Sequence, residues 1–348
     1  MDYIFGPVQS RRLGRSLGID LFPRKICNLN CVYCEVGPTC SPVSRRAAYS
    51  PVRLICEEID EWCADPGRLA SADVLTVTAK GEPTLHSGLG EILDHLKARA
   101  AKPVAVLTNG TTLADAEVRR DLMAADLVVP SLDAARDEGF ARVDRPADGL
   151  ELGAVIDGLV LFSRDFPGKI WLEILLVQGM NDAPEDIGAL VAALGRMRID
   201  RIQLNTVMRP PAEAWAHPLS RARLTAIAQH LRRELGLPVD LPFADPDERT
   251  AEPVPAAMTD PAMLAVVRDD ILHMVQRRPC TAIDIDRTFH LGGPEKVVQL
   301  LDPLICAGVL LRQAHGGSWY YQRASCGQEI VSGLPSGEAR SRRCEKID

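Results

Sequence analysis

Short apolar runs alternate with longer stretches of helical periodicity through the first two thirds of the chain. The runs at 74–78 and 170–177 are almost continuously apolar, which is typical of parallel strands covered by helices. Between such runs, apolar residues recur every three or four positions, as in the segment 52–63. The pattern predicts strands at 18–22, 74–78, 104–107, 127–129, 170–177 and 202–207, and helices at 50–63, 88–100, 114–123, 150–163, 184–197 and 220–235.

Alternating strands and helices favour an α/β fold, either a barrel or an open parallel sheet. In both architectures ligands bind at the carboxyl ends of the strands. A polar or glycine-containing segment follows every predicted strand, so we expect a functional site along that rim. These segments are a cysteine loop after the first strand and then 80–84, 108–110, 130–133, 178–182 and 208–211.

Three cysteines lie within eight residues: Cys27, Cys31 and Cys34. Three thiolates on one loop can ligate three irons of a cubane iron–sulfur cluster and leave the fourth iron open, which suggests catalysis. Two other interpretations stay open. Structural zinc needs four ligands, usually in two pairs, and here Cys40 is the nearby candidate for a fourth. A disulfide is the other, although ten cysteines in 348 residues is far below the density of a disulfide scaffold.

The composition is that of a globular protein, with 46% apolar and 25% charged residues. The net charge of −7 argues against a basic nucleic-acid surface over the whole molecule. We find no run of 18 apolar residues and no signal-peptide pattern at the N-terminus. We therefore expect a cytoplasmic protein without a membrane span, in a compartment that keeps thiols reduced.

The chain divides into four predicted parts. Residues 1–236 hold the alternating strands and helices, and the Pro-rich, acidic segment 237–260 is predicted to be a linker. Residues 261–324 are predicted to form three helices and a hairpin, an arrangement typical of a winged helix. The polar segment 325–348 is predicted to be a disordered tail.

These motifs together resemble the radical S-adenosylmethionine (SAM) superfamily. The resemblance rests on the cysteine spacing, on Tyr33 just before the third cysteine, on Gly81-Glu82-Pro83 after the second strand and on Asn109-Gly110 after the third. It extends over about 3–211. Within the superfamily the chain resembles relatives of the tRNA wyosine (imidazoguanosine) synthetase, through the segments 5–18, 81–86, 131–134 and 209–211.

The resemblance implies both a fold and a chemistry. The fold is a partial (β/α)6 TIM-like barrel over 1–236, followed by the small winged-helix-like domain. The chemistry is a [4Fe–4S] cluster on Cys27, Cys31 and Cys34, whose open iron is chelated by SAM. A reducing partner such as flavodoxin or ferredoxin supplies one electron, SAM is cleaved to methionine and a 5′-deoxyadenosyl radical, and the radical takes hydrogen from a substrate. A tRNA and a peptide are the candidate substrates.

The same resemblance implies a set of SAM contacts. Tyr33 is expected near the adenine, and Glu82 is expected to accept a hydrogen bond from the SAM ammonium, beside Gly81, where the backbone can approach the ligand closely. Asn109 is expected to bond the SAM carboxylate or ribose. Further contacts are expected from Ser131 and Asp133 at the ribose and from Asn205 and Val207 near the adenine.

Two charged residues are candidates for the catalytic, substrate-contacting role. Glu173 interrupts an apolar strand, and a buried carboxylate needs a partner. We expect it to face the barrel lumen and to bind substrate, SAM or an arginine. Arg209, next to two prolines at a strand end, is a candidate for binding a substrate anion. Basic residues around the cysteine loop are expected to screen the cluster, to bind an anion or to form a solvated face: Arg11, Arg12, Arg15, Arg24 and Lys25.

The chain departs from the wyosine-forming enzymes at one point. Those enzymes carry a second cluster on cysteines upstream of the trio, and no cysteine precedes Cys27 in this sequence, so the resemblance does not extend to wyosine formation. The competing class of function is a non-catalytic iron–sulfur or zinc sensor whose winged helix contacts nucleic acid or protein. The Gly81-Glu82-Pro83 turn and the six polar strand ends favour the enzyme, because a sensor does not need them.

Overall fold

One sheet contains the strands of the larger domain, in their order along the chain. The structure is a computed structural model that describes residues 1–10, 12–243 and 261–323, and of 261–266 the backbone alone. Within these residues β1 (Ile4–Ser10) runs antiparallel to β2 (Gly14–Asp20), and the strands after β2 join in parallel. They are β3 (Val74–Thr78), β4 (Val104–Thr108), β5 (Leu127–Pro130), β6 (Lys169–Leu176), β7 (Arg201–Thr206) and β8 (Val239–Asp240).

Helices connect the parallel strands and cover one face of the sheet. Alternation along β6 shows how the faces are chosen: Ile170, Leu172 and Ile174 pack into the main core, while Trp171 and Glu173 point to the opposite face. The helices of this domain are α1 (Val52–Cys63), α2 (Pro66–Ser71), α3 (Leu89–Arg99), α4 (Ala116–Leu122), α5 (Asp137–Val143), α6 (Leu152–Asp165), α7 (Pro184–Leu194) and α8 (Arg221–Leu235).

The face away from the helices encloses a lumen. An apolar layer on this face joins side chains from β3, β4, β5 and β6, so the sheet curves around it. Leu13, in the turn between β1 and β2, packs into the same layer. This arrangement confirms the predicted α/β fold with a partial parallel barrel. The layer consists of Leu13, Val74, Ala105, Leu107, Leu127, Val129 and Trp171.

Three local predictions need correction. The predicted strand 18–22 begins earlier, as β2, and follows β1, which the pattern did not show because only Ile4 and Val8 of its seven residues are buried. Helix α5 lies in a segment to which the sequence pattern assigned no helix or strand. The predicted linker 237–260 begins too early in the chain, since Val239 still pairs with Ile202 as part of the sheet. The rest of that linker, from 244 to 260, and the tail at 325–348 lie outside the described residues.

The C-terminal unit contains the three helices and the hairpin that the sequence predicts. Its three-stranded sheet has the order β10-β11-β9, and its core includes Val8 of β1, so the unit packs against the first strand of the barrel. The elements are α9 (Pro261–Arg277), β9 (Cys280–Thr281), α10 (Ala282–Phe289), α11 (Pro294–Cys306), β10 (Leu310–His315) and β11 (Ser318–Arg323). The winged-helix assignment stays a prediction.

No helix among the described residues is both long enough and apolar enough to cross a bilayer.

Arg277 joins the C-terminal unit to the barrel through a buried ion pair. Its Nε donates to Oδ2 of Asp20 at 3.0 Å, and its Nη2 donates to the carbonyl oxygen of Asp2 at 2.9 Å. The guanidinium also lies 4.4 Å from the ring centroid of Phe5. Arg277 is 8% exposed and Asp20 is 1% exposed, so neither charge is solvated if its partner is lost.

We expect Arg277→Ala to lower the free energy of unfolding by about 3 kcal/mol, because Asp20 then loses its closest cationic partner in the interior. Urea unfolding measures this loss, and hydrogen exchange should show faster exchange in β1 and α9. Arg268→Ala on the same helix is the matched control, since Arg268 has a side chain 48% exposed. Equal effects of the two substitutions would contradict the structural role of Arg277.

Candidate active site

The cysteine loop is fastened to the end of β3 by backbone hydrogen bonds. The amide of Ile26 donates to the carbonyl oxygen of Lys80 at 2.9 Å, and the amide of Glu82 donates to the carbonyl oxygen of Ile26 at 2.9 Å. Gly81 lies between these two bonds with φ of 141°. A Cβ on Gly81 would lie 1.7 Å from the carbonyl oxygen of Ile26. Glycine is therefore required here for the loop to approach the strand end.

The other side of the loop is held by the end of β4 and by α5. The Nδ2 of Asn109 donates to Oδ1 of Asn28 at 2.9 Å, and the Nδ2 of Asn28 donates to Oγ1 of Thr111 at 2.7 Å. The amide of Val32 donates to the carbonyl oxygen of Val143 at 2.9 Å. The side chain of Asn109 thus positions the cysteine loop, a role that the sequence did not suggest.

Each of the three thiols has a polar neighbour. Nζ of Lys25 lies 3.1 Å from Sγ of Cys34, and the amide of Leu29 lies 3.5 Å from Sγ of Cys27. Sγ of Cys31 lies 3.6 Å from Oδ1 of Asp144. Burial raises the pKa of Cys27 to about 12 and the pKa of Cys31 well above its usual value. The buried thiols are therefore protonated in the free protein, and metal binding must release protons.

The residues present fit a cluster with one open iron. Three thiols and a lysine ammonium suit an iron–sulfur cluster, whose net charge is negative. Within the described residues no three His, Cys, Asp or Glu side chains converge on a point where a single metal ion would sit. A cubane does not need such convergence, because each thiolate binds a different iron. Cys40 is exposed on the same loop.

Predicted SAM contacts meet at a small cavity beside the cysteine loop. The cavity measures about 20 Å³, room for about one water molecule. Oδ2 of Asp144 is buried there without a hydrogen-bond partner among the described residues. An orphaned carboxylate oxygen suits a cationic group, and SAM carries both a sulfonium and an ammonium. The lining residues are Leu29, Tyr33, Asn109, Ser131, Leu132, Asp133, Ala134, Phe140, Asp144 and Val155.

Two buried carboxyl groups share this cavity. Asp133 accepts hydrogen bonds from the hydroxyl of Tyr33 and from the amide of Leu175, the latter at 2.6 Å. Burial raises the pKa of Asp133 to about 7, although both hydrogen bonds lower it. Burial also raises the pKa of Asp144, and the negative charge of Asp133 adds to the effect. The pair therefore binds protons more tightly in the folded chain than in the unfolded chain.

Asp133→Asn should change how stability depends on pH. The folded pKa of Asp133, about 7, lies above the ordinary value of 3.8 for this side chain, so the native chain should lose stability as the pH rises from about 4 to about 7. The variant lacks this titration, so its free energy of unfolding relative to the native chain should rise across the same window, by about 3–4 kcal/mol. Urea unfolding at a series of pH values measures this, and parallel curves would contradict it.

Glu82 lies behind the cavity and is 1% exposed. Its carboxylate accepts from the amide and hydroxyl of Thr84, at 3.0 and 2.5 Å, and from the hydroxyl of Thr108 at 2.6 Å. It also accepts from the amide of Asn109 at 2.5 Å. A carboxylate offers about four acceptor sites, so these donors occupy most of its capacity. The predicted contact with the SAM ammonium stays a prediction.

Glu173 and Asn205 belong to a second polar cluster, inside the lumen. The Nδ2 of Asn205 donates to Oε1 of Glu173 at 2.6 Å. Nη1 of Arg12 donates to Oε2 of Glu173 at 2.8 Å and to Oε1 of Gln203. Glu173 thus faces the lumen and binds an arginine, which is one of the alternatives that the sequence left open.

Val207 and Arg209 lie at the end of β7, beneath the C-terminal unit. The carbonyl oxygen of Val207 is 3.1 Å from Nε2 of His315. Arg209 is 3.2 Å from Glu35, beside the last cysteine, and 3.8 Å from Asp284 of α10. Burial by itself would lower the pKa of Arg209, but the charges of the two carboxylates oppose it and the net effect is a raised pKa. This arginine therefore connects the cysteine loop to the C-terminal unit, and its predicted contact with a substrate stays a prediction.

Several basic residues that the sequence analysis placed around the cysteine loop lie apart in the structure. Lys25 contacts a cysteine, but Arg12 lies in the lumen, and Arg15 is exposed in an ion pair with Asp73. Arg11 lies outside the described residues.

Asp144 was missed because helix α5 was missed, although Phe140 and Val143 have the spacing of a short amphipathic helix. No local signal identified Gln203.

Comparison with known proteins gives three findings. The model of the Radical SAM superfamily matches residues 22–228. A UPF0026 protein of Helicobacter pylori is 33% identical over 282 residues, which cover 80% of this chain and 85% of that protein. A protein named GTPase Obg, from Brachyspira hyodysenteriae, is 30% identical over 321 residues; they cover 91% of this chain but only 45% of that protein.

Among solved structures, the crystal structure of Streptococcus suis SuiB superposes with a TM-score of 0.49 at 14% identity, over 66% of this chain and 50% of that one.

Proposed function

We propose that this chain, which belongs to the radical SAM superfamily and to the UPF0026 family, uses SAM to take a hydrogen atom from a substrate. Its cofactors are a [4Fe–4S] cluster and SAM. When bound, the cluster would supply one electron that cleaves the C5′–S bond of SAM, giving methionine and a 5′-deoxyadenosyl radical that would take the hydrogen atom and become 5′-deoxyadenosine. The electron comes from a reduced partner such as flavodoxin or ferredoxin.

One observation carries the proposal: residues between the cysteines line the same cavity as the ends of β4 and β5. Leu29 and Tyr33 lie in the cysteine loop, and they meet Asn109, Ser131 and Asp133 there. A cluster held by the loop would therefore adjoin polar groups at the strand ends. SAM must contact both the open iron and the protein, and this arrangement would bring the two side by side.

The chain's own residues would hold and orient the two cofactors. Cys27, Cys31 and Cys34 would provide thiolates to three irons, and Lys25 would donate a charge-assisted hydrogen bond to the third thiolate. The unpaired oxygen of Asp144 would face a cationic group of SAM. Tyr33, tied to Asp133 by its hydroxyl, would keep its ring in one place beside the loop.

Anaerobic reconstitution with iron and sulfide tests the proposal. The native chain, given dithionite and SAM, should produce 5′-deoxyadenosine, and Cys31→Ala should reduce the yield at least 100-fold, because a cubane with two protein ligands is not held. Cys40→Ala is the matched control in the same loop and should retain iron, sulfide and activity. Zinc without sulfide, or loss of metal in Cys40→Ala, would support the zinc interpretation and contradict the proposal.

We propose the electron donor and the substrate class as parts of the same radical SAM reaction, and each can be tested in the reconstituted chain. Reduced flavodoxin or ferredoxin in place of dithionite should sustain SAM cleavage. Bulk tRNA and a peptide library are the two substrate pools to compare, each scored by transfer of deuterium from labelled substrate into 5′-deoxyadenosine. Deuterium from the peptide pool alone would exclude tRNA as the hydrogen donor.

A further inference from the structure

The polar cluster in the lumen has donors that none of the described residues satisfies. Nη1 of Arg12 serves both Glu173 and Gln203, but Nε and Nη2 of Arg12 have no acceptor among the described residues. Gln203 is 2% exposed, and its Nε2 is buried without a partner in the described part of the chain. A buried amide nitrogen without an acceptor is costly, by about 1–3 kcal/mol.

The two sets of free donors belong to one cluster. Glu173 and Gln203 are register partners on adjacent strands, and the guanidinium of Arg12 bonds to both side chains. The edge of a guanidinium formed by Nε and Nη2 presents two parallel N–H groups, a geometry that matches the two oxygens of a carboxylate. The cluster therefore favours an acceptor with at least two oxygens.

Solvent reaches the cluster, so a ligand can reach it as well. The side chains of Arg12 and Glu173 are 28% and 27% exposed, although both belong to the inner face of the barrel. Below them the apolar layer that includes Leu13 and Trp171 closes the lumen. A ligand at the cluster would lie on this apolar layer with its polar end against Arg12.

The charges of the cluster and of SAM indicate the net charge of the ligand. Arg12 and Glu173 neutralise each other, and Gln203 and Asn205 are uncharged. SAM has one net positive charge, from its sulfonium. A ligand with a single negative charge balances that charge, whereas a dianion would leave one charge uncompensated in a half-buried lumen.

The cluster also lies close to the cavity where SAM is proposed to bind. Ser131 forms a bridge with Glu173, and Ser131 lines that cavity. Neighbouring strands are about 4.8 Å apart, so Glu173, which binds Arg12, is next to a residue that lines the proposed SAM site.

We propose that Arg12 and Gln203 bind a carboxylate of the substrate in the barrel lumen, with Glu173 holding the guanidinium in place. The substrate is therefore a carboxylate-bearing molecule, an amino acid or the acidic group of a peptide. As a statement about the substrate, this inference rests on the proposed function, but binding of the carboxylate does not require the cluster.

The test uses the full chain and N-acetylglycine as the carboxylate probe, in a ligand-observed NMR titration at constant ionic strength. The matched probes are N-acetylglycinamide, which is uncharged, and methyl phosphate, which is largely a dianion at pH 8. The native chain should bind N-acetylglycine most tightly of the three. Arg12→Gln should weaken that binding about tenfold or more, and Arg15→Gln, in the exposed pair with Asp73, should leave it unchanged.

A second variant distinguishes loss of carboxylate binding from misfolding. Arg12→Gln leaves the charge of Glu173 without its partner, so the double variant Arg12→Gln/Glu173→Gln, which keeps the cluster neutral, should fold and should still fail to bind the probe. Arg12→Lys, which keeps the charge but loses the two-donor edge, should bind the probe more weakly than the native chain.

Four results of the binding titrations would overturn the inference, and competition with SAM provides a fifth. The four are no binding of N-acetylglycine to the native chain, equal binding of the amide, tighter binding of methyl phosphate, and equal binding by the double variant. Displacement of the probe by SAM would assign the site to the carboxylate of SAM and would also overturn it. Absence of 5′-deoxyadenosine from the reconstituted native chain would instead contradict the proposed function, and the two failures are thus measured separately.

Discussion

Gly81→Ala is expected to lower the free energy of unfolding by about 3 kcal/mol and to abolish stable binding of iron. The new Cβ would lie 1.7 Å from the carbonyl oxygen of Ile26 and 2.4 Å from its carbonyl carbon. Backbone atoms cannot rotate away as a side chain can, so the cysteine loop must move off the strand. The residue that moves first is the one directly before Cys27.

Two effects contribute to the loss in Gly81→Ala, the backbone conformation and the clash with Ile26, and one variant measures the first effect alone. Gly81 has φ of 141°, which is unfavourable for alanine whatever the space around it. Gly179 has φ of 72° with nothing within 4 Å of an added Cβ, so Gly179→Ala reports a backbone strain of about 1 kcal/mol alone. Gly153→Ala, in α6 and without nearby atoms, should be neutral or slightly stabilising.

Urea unfolding and iron content after anaerobic reconstitution measure the outcome. The three variants should rank Gly81→Ala far below Gly179→Ala, and Gly153→Ala at or above the native chain. Iron content should fall in Gly81→Ala alone. A Gly81→Ala chain that holds iron and is no less stable than Gly179→Ala would show that the cysteine loop does not depend on its contact with β3.

The strand ends could be predicted from the sequence because the signal is local. Apolar runs fix where each parallel strand lies, and a parallel sheet brings every carboxyl end to one rim. Tyr33, Asn109, Ser131 and Asp133 could therefore be assigned to one site without a structure, and they do line one cavity. The function of Gly81 could be predicted only in part, since its close neighbour is Ile26 of the cysteine loop.

Contacts between distant segments could not be predicted in this way. Arg12 meets Glu173 across 161 positions and Gln203 across 191, and no periodicity in the sequence links a turn before β2 to strands β6 and β7. Asp144 follows a seven-residue helix, too short to give a clear periodic signal. The residues that sequence reasoning missed are thus those whose partners are remote in the chain.

The position of the C-terminal unit is a further feature that only the structure shows. Tyr320 donates to the carbonyl oxygen of Met208 at 2.9 Å, and Arg209 reaches Asp284, so the unit lies against the end of β7. Because Arg209 also contacts Glu35, a change in the C-terminal unit has a direct physical route to the cysteine loop. Arg209 connects the two as an ion-pair partner of both.

Glu82→Ala is expected to lower the free energy of unfolding by about 3–5 kcal/mol in the chain without SAM or iron. The carboxylate accepts from Thr84, Thr108 and Asn109, and its removal leaves those donors buried without an acceptor. Burial raises the pKa of Glu82, and the hydrogen bonds from Thr108 and Thr84 lower it again, so the donors are what makes the buried charge tolerable.

Smaller substitutions around Glu82 separate this role from a contact with SAM. Thr108→Val removes one donor and should cost about 1 kcal/mol. Glu82→Gln should also destabilise, because its amide nitrogen would face an N–H or hydroxyl donor. Glu117→Ala, with a side chain 61% exposed, is the control and should change stability by less than about 0.5 kcal/mol.

Glu82 serves either as an acceptor for the SAM ammonium or as an acceptor for donors of the chain itself. Thermal and urea unfolding of the iron-free chain distinguish these two roles, because both measurements are made without SAM. If Glu82 serves only as an acceptor for the SAM ammonium, Glu82→Ala and Glu82→Gln will unfold like the native chain and will lose SAM binding alone. If it holds the ends of β3 and β4 together, both variants will unfold at lower urea before any cofactor is added. We expect the second result, because the structure already places four donors from the chain on this carboxylate.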